Sequence, residues 1–226
     1  MIKYAKVINN ETGLCEVGLS TNKQFYRSIG MKELDVQQSD IDGNWYLAYM
    51  CPMKTDEQKS LEEKERIAKL FLTGADVERG IYQAKGMDFE DIVALVTQIQ
   101  PAGLDIKALK IELKANNFYR GNPYVSAIGA LLGFSDEQLD KFFEFNDYFY
   151  LMNFDLEVKT TPENAIVKIN GVETKTASLP FDSEYVCEIS CEEYITQTLN
   201  GKIQNDEYVE VVLEANTPTE ELNIEN

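Results

Sequence analysis

The chain contains no histidine. That excludes Ser-His and Cys-His nucleophile pairs, imidazole general bases and histidine-containing zinc sites. Cysteine is scarce: Cys15, Cys51, Cys187 and Cys191 are the four among 226 residues, and only the last two are close in sequence. The paired C-x-x-C knuckles of a four-cysteine zinc site are missing. The start, MIKYAKVINNETG, lacks the apolar core of a signal peptide, and no apolar run is long enough to cross a bilayer. Neither export by the general route nor membrane insertion is expected, and the four cysteines are read as reduced, buried small side chains. Paired carboxylates for acid–base work are missing as well. Glu192-Glu193 and Asp206-Glu207 are sequence neighbours, pointing to opposite sides of a strand or sitting in a turn. No catalytic, cofactor-binding or metal-ligating residue is assigned, and no enzyme activity is expected.

Positive charge is also short, and unevenly so. The 21 basic and 39 acidic residues leave a net charge of −18. Residues 1–54 carry six of each; residues 55–152 carry eleven basic against seventeen acidic, or −6; residues 153–226 carry four against sixteen, or −12. The last third therefore repels nucleic acid and anionic membranes. Two uses of that charge stand side by side: a solvated face that keeps a β-module in solution, or attraction to a basic partner, as in a nucleic-acid mimic.

What is present is best organised around Phe118 to Phe143. Asn122-Pro123 is a helix start, because asparagine accepts an orphan amide proton and proline has none at the first helical position. Val125, Ile128, Leu131 and Leu132 follow at helical spacing, Gly133 ends the run, and Ser135-x-x-Gln138 is a capping box opening a second helix with Leu139, Phe142 and Phe143 on its apolar face. This spacing predicts an αα-hairpin. An earlier hairpin, with Val77, Ile81 and Ala84 before Gly86 and Phe89, Ile92, Val93 and Val96 after it, overlies the later one when shifted by 47 residues, Gly86 meeting Gly133 and Asp88 meeting Ser135. Two copies would supply each other's missing apolar face, but any two capped hairpins align comparably, so repeat and coincidence are both kept. Thr55-x-x-Gln58 opens a long polar helix running to Leu72, and Asp105 to Asn116 makes a linking helix. A DNA-binding helix-turn-helix is not expected, because no basic recognition helix is present. Arg120, between two aromatics and just before a helix N-terminus, either holds a neighbouring carboxylate or binds an anion such as phosphate.

Before residue 54 the pattern is extended. Ile2 to Asn9 and Leu14 to Leu19 flank the turn residues Asn9 to Gly13, Phe25 to Met31 forms a helical turn, and Trp45 to Met50 is a third strand. The run YAKVINNETGLCEVGLSTNKQFYRSIGMKELDVQQSDIDGNWYL, through Asn9, Glu11, Thr12, Gly18, Thr21, Asn22, Phe25, Tyr26, Gly30, Met31, Gly43, Asn44, Trp45 and Tyr46, resembles a short N-terminal module of phage and prophage proteins encoded near tail-fibre genes. The stretch FYRGNP with its helices is similar to segments of phage tail-associated proteins. The resemblance implies a supporting role in a tail or its fibres and brings no catalytic residues.

From Phe154 the period becomes two. Leu156 and Val158, Ile166 to Ile169, Val186 and Ile189, Ile195, Ile203, and Val209 to Leu213 mark six or seven strands, with Asn170-Gly171, Asn200-Gly201 and Asn205-Asp206 as turns. Thr160 to Gly171 resembles the PEGA-type and related bacterial Ig-like modules, although Glu193-Tyr194 stands where that pattern has Gly-Tyr. The resemblance implies a surface module for spacing or adhesion.

The expected chain is α+β: a β-rich docking module at 1–54, a helical domain of αα-hairpins at 55–152, an Ig-like β-sandwich at 153–216 and a disordered acidic tail at 217–226. The interaction candidates are Phe25, Tyr26, Trp45, Tyr46, Tyr119, Arg120 and Tyr124. The expected function is that of a non-enzymatic structural or accessory protein of a phage or prophage tail or tail fibre, in the virion tail or in the host bacterial cytoplasm before assembly. Its partners would be tail or fibre proteins, the host surface or a second copy of itself, without direct contact to nucleic acid. The alternative is an acidic phage-encoded inhibitor of a basic host defence protein, anti-CRISPR-like in its manner.

Overall fold

The computed structural model describes residues 1–19 and 22–216. Helices gather mainly between residues 56 and 151, with strands before and after, so the chain is α+β. It divides into two compact units, Met1–Glu65 and Arg66–Asn226. The boundary expected after residue 54 thus falls inside the long helix, and the helical and β regions expected as separate domains share one unit.

In the first unit β1 (Ile2–Asn9), β2 (Leu14–Val17), β3 (Lys32–Gln38) and β4 (Trp45–Leu47) close into a barrel in the order β1-β2-β4-β3. α1 (Lys23–Ser28) lies between β2 and β3 and is N-capped by Asn22, whose side chain accepts the Phe25 amide. The barrel core is small: Ala5, Cys15 and Val36, with Leu34, Trp45 and Leu47 packed against them. β3 went unforeseen because KELDVQQ offers only Leu34 and Val36 as alternating apolar residues. The third strand expected to Met50 stops at Leu47, and Ala48–Met50 is a 3-10 turn. α2 (Asp56–Ala68) begins with the expected reciprocal cap, the Gln58 amide donating to Thr55 Oγ1 and the Thr55 amide to Gln58 Oε1, and it buries no residue.

The second unit starts with a short ribbon. α2 does not continue to Leu72, because residues 71–73 leave to form β5 (Phe71–Thr73). Next come α3 (Gly74–Lys85), α4 (Phe89–Ile99), α5 (Ile106–Glu112), β6 (Asn117–Tyr119), α6 (Pro123–Leu132) and α7 (Asp136–Phe145). α5 is shorter than expected, with Asp105 as its N-cap. Glycine ends both α3 and α6 in the left-handed region, Gly86 at φ 69° and Gly133 at φ 79°, where a Cβ would be strained. Reciprocal capping boxes open α4 at Asp88/Asp91 and α7 at Ser135/Gln138. The core these helices share includes Ile81, Ile92, Val96, Leu109, Ile128 and Phe142. Each such buried side chain stabilises the fold by about 1.5–3 kcal/mol.

The β region has seven strands: β7 (Asn153–Thr161), β8 (Ile166–Ile169), β9 (Val172–Glu173), β10 (Thr176–Pro180), β11 (Glu184–Ser190), β12 (Gln197–Lys202) and β13 (Glu207–Val212). One sheet runs β10-β7-β13 and the other β12-β11-β8-β9. β13 pairs with β7 in parallel, and the remaining pairs are antiparallel. Alternation in β7 and β11 turns Leu156 and Val158 from one sheet, and Cys187 and Ile189 from the other, into a single apolar cluster. Asn170 and Gly171 take positive φ in the β8–β9 turn. Asn200-Gly201 is not a turn but lies within β12. Gly201 faces Tyr185 across the pair, and that ring occupies the space a Cβ would need. The Tyr185 hydroxyl donates to Glu207 Oε2 at 2.8 Å. Burial, with that bond behind it, pushes the phenol up to about 12.

The helical and β cores meet at residues 138–154. Gln138 Nε2 donates to Asn153 Oδ1 at 3.0 Å and to the Met152 carbonyl at 3.4 Å, and Phe181 packs its ring against Phe149, Tyr150 and Phe154. All four thiols are free, but only Cys15 and Cys187 are buried, Cys51 and Cys191 being half-buried. The tail expected at 217–226 lies outside the described residues.

Candidate interaction surface

β5 and β6 pair antiparallel with Leu72 opposite Phe118 and Phe71 opposite Tyr119. A two-stranded ribbon of this length has one face for a core. Leu72 and Phe118 take it, so Phe71 and Tyr119 must point the other way. They remain 55% and 52% exposed, with ring centroids 5.7 Å apart. Beyond the strands the ribbon is prolonged by the Arg120 amide donating to the Leu70 carbonyl at 2.9 Å and the Gly121 amide to Ala68 at 3.1 Å. Glycine is needed at 121, because a Cβ there would come within 2.9 Å of the Ala68 carbonyl.

Arg120 turns inward and is buried. Its Nη1 donates to Ser126 Oγ at 2.8 Å and its Nη2 to Asp136 Oδ1 at 2.7 Å, while Nε sits 2.6 Å from Asp140 Oδ1. The guanidinium therefore ties β6 to the first two turns of α7. Two carboxylates already occupy the position a phosphate would take, and a buried guanidinium demands such partners. Tyr124 is half-buried against the helical core, on the far side of a cap in which Asn122 Oδ1 accepts the Tyr124 amide and Asn122 Nδ2 donates to Glu112.

The four candidates in the barrel unit separate in the same way. Phe25 is exposed, set edge-on to Tyr26. Tyr26 is buried and stacked on Tyr4, at a point where Gly18 leaves room for the ring. Tyr46 is buried and donates its hydroxyl to Asp42 Oδ2 at 2.7 Å, a bond that raises the phenol; the Asn44 amide and the Tyr46 hydroxyl together hold the Asp42 carboxyl below its ordinary value. Trp45 is half-buried beneath the Lys3 ammonium, 4.1 Å from the ring centroid. Of the seven candidates, Phe25 and Tyr119 are the exposed aromatics.

Phe71 was missed, although a signal was there. Thr73 followed three residues later by Asp76 is a helix start, and the Asp76 amide does bond Thr73 Oγ1 at 3.2 Å. Phe71 therefore had to precede a helix rather than end one.

An apolar cavity of about 30 Å³ lies inside the helical core, lined by side chains such as Ile81, Phe89, Leu132 and Phe142. That is room for about one water and not for a substrate. Among the described residues no group of three or more cysteines or carboxylates is placed to hold a metal ion, and no helix is long and apolar enough to cross a membrane. No protein-family model and no curated protein matches the chain.

Proposed function

We propose that the chain is a non-enzymatic structural or accessory protein of a phage or prophage tail or tail fibre, working by docking to neighbouring proteins and presenting surfaces. The observation that carries this reading is the Phe71–Tyr119 pair. Two adjacent aromatic rings, each more than half exposed, sit on a ribbon whose other face is locked into a core and whose end is pinned by a buried arginine. Large aromatics on rigid supports are what protein interfaces use as anchors. The similarity of the first fifty residues to the tail-fibre-associated module points the same way.

The helical region is read as two αα-hairpins in tandem, and the β region as an Ig-like module of the PEGA type. Seven strands in two sheets around one core support the second reading. So does Glu193, which stands at φ 66°, a conformation that explains why the related pattern has glycine there.

The test is incorporation. Particles assembled with the double variant Phe71→Ser/Tyr119→Ser should recover about tenfold less of the protein than wild type, while the purified variant keeps the wild-type circular dichroism. Equal recovery would remove the reading.

One observation favours a second reading. With −12 concentrated in residues 153–226, the chain suits an inhibitor that occupies a basic channel of a host protein. That reading requires a salt-sensitive one-to-one complex with a host protein and no recovery with particles.

A further inference from the structure

α5 is at odds with the charge of the rest of the chain. Lys107, Lys110 and, in the turn just after the helix, Lys114 recur at three- and four-residue spacing, and Ile111 lies among them, 71% exposed. These positions share one stripe of the helix. All three lysines are exposed, and among the described residues none forms an ion pair. Glu112, the one acid of α5, is turned aside and accepts from Asn122 Nδ2 at 2.7 Å. The result is an apolar residue ringed by three unmatched ammonium groups on a molecule of net charge −18.

The outward face of the sheet β10-β7-β13 has the opposite character. Tyr208 and Val212 of β13 stand 55% and 68% exposed, although residues of this size usually turn inward. On the same face Glu157 of β7 lies directly across from Tyr208 with Asp155 two residues before it, whereas Val212 lies across from Thr161 and Glu210 stands between Tyr208 and Val212. Lys159 is the one base there, and Glu210 already faces it at 3.6 Å. Tyr208 is therefore an exposed ring with Glu157 across from it and Glu210 beside it, the latter accepting from its hydroxyl at 3.1 Å.

We infer that the α5 stripe of one molecule seats on the β7/β13 face of a second copy of this chain, Ile111 against Tyr208 and the lysines against Asp155 and Glu157. Each surface carries what the other lacks in sign, and each has an exposed apolar side chain to bury. The contact joins two different patches, so every molecule keeps one of each available, which allows growth beyond a pair. It stands on exposure and charge alone and holds whether or not the chain belongs to a phage particle.

Sedimentation of the full chain tests it. Association should be present at about 0.1 M salt and weaken about tenfold at about 1 M, where the screening length falls from about 10 Å to about 3 Å. Two variants, Lys107→Gln/Lys110→Gln/Lys114→Gln and Asp155→Asn/Glu157→Gln, should each be monomeric at about 0.1 M salt. Mixed one to one they should associate again, because each brings the surface the other has lost. A wild type monomeric at low salt overturns the inference, as does association that ignores salt or survives both variants. A lysine variant that loses binding to heparin while the wild type stays monomeric also overturns it, and assigns the stripe to a polyanion. A mixture that stays monomeric does the same for the pairing of these two faces.

Discussion

The two helical halves of the second unit, β5-α3-α4 and β6-α6-α7, share one local syntax and differ in what they are attached to. From Gly86 to Gly133 and from Asp88 to Ser135 the shift is 47 residues, and at each pair the backbone does the same thing: a left-handed stop, then a reciprocal cap. Ile81 and Ile128 are both buried, as are Ile92 and Leu139. The third capping position is where they part. Asp91 only closes its own box, whereas Gln138 also reaches Asn153 and the Met152 carbonyl, so the second half adds side-chain hydrogen bonds to the start of the β region. Arg120 adds a second anchor to β6-α6-α7 with no counterpart in the first half, where Thr73 stands at the shifted position. Equal local chemistry thus yields one half that is a strut and one that is a joint.

That difference can be attacked where it is largest. Phe142 is 2% exposed and packs on Gly80 of α3, while Leu95, its partner under the shift, is half-buried. Phe142→Ala should destabilise the chain by about 3–5 kcal/mol and Leu95→Ala by about 1–2 kcal/mol, read from urea midpoints. Equal losses would mean that the halves are equivalent after all.

Removing Arg120 comes next. Arg120→Met strips Asp140 of its partner in a half-buried place and should cost about 2–3 kcal/mol, against about 1 kcal/mol for Thr73→Ala, which removes a helix cap. Comparable costs would deny the anchor its role.

The smallest effect is on pH. The Thr73 hydroxyl, with Arg79 beside it, holds the Asp76 carboxyl below its ordinary value. A carboxyl lowered in the folded state contributes stability above its unfolded value of about 3.9 and loses it as pH falls through the lowered folded value. The start of α6 uses Asn122, which does not titrate. Asp76→Asn should therefore flatten the acid limb of the stability curve slightly, and Asn122→Ala, which removes a cap and a bond to Glu112, should lower the whole curve.

How far the fold could be read from residues depends on the range of the forces concerned. The helix ends around Gly86, Asp88, Asn122, Gly133 and Ser135 were readable because a cap is settled within four residues. β5, β6 and β3 were not, because a three-residue strand or one as charged as KELDVQQ exists only through a partner remote in sequence. Asn200-Gly201 misled for a related reason. Glycine signals a turn locally, but here it serves a ring fifteen or more residues away, that of Tyr185, and no short window contains both. The exposed partner of Tyr119 was hidden by the same non-local pairing, whereas the carboxylates around Arg120 were foreseen in kind if not in number.

The four-stranded barrel has a further consequence. Since β3 hydrogen-bonds back to β1, every strand in it has two neighbours, β3 pairing with β1 through Lys32–Asp35 and with β4 through Val36–Gln38, so only short stretches of any strand are left with an open side. A foreign strand finds only a few consecutive groups to zip onto, so joining this unit to other sequences, or crowding many copies together, carries less danger of entanglement through the backbone than an open sheet edge would. A firm grip on it depends chiefly on side chains.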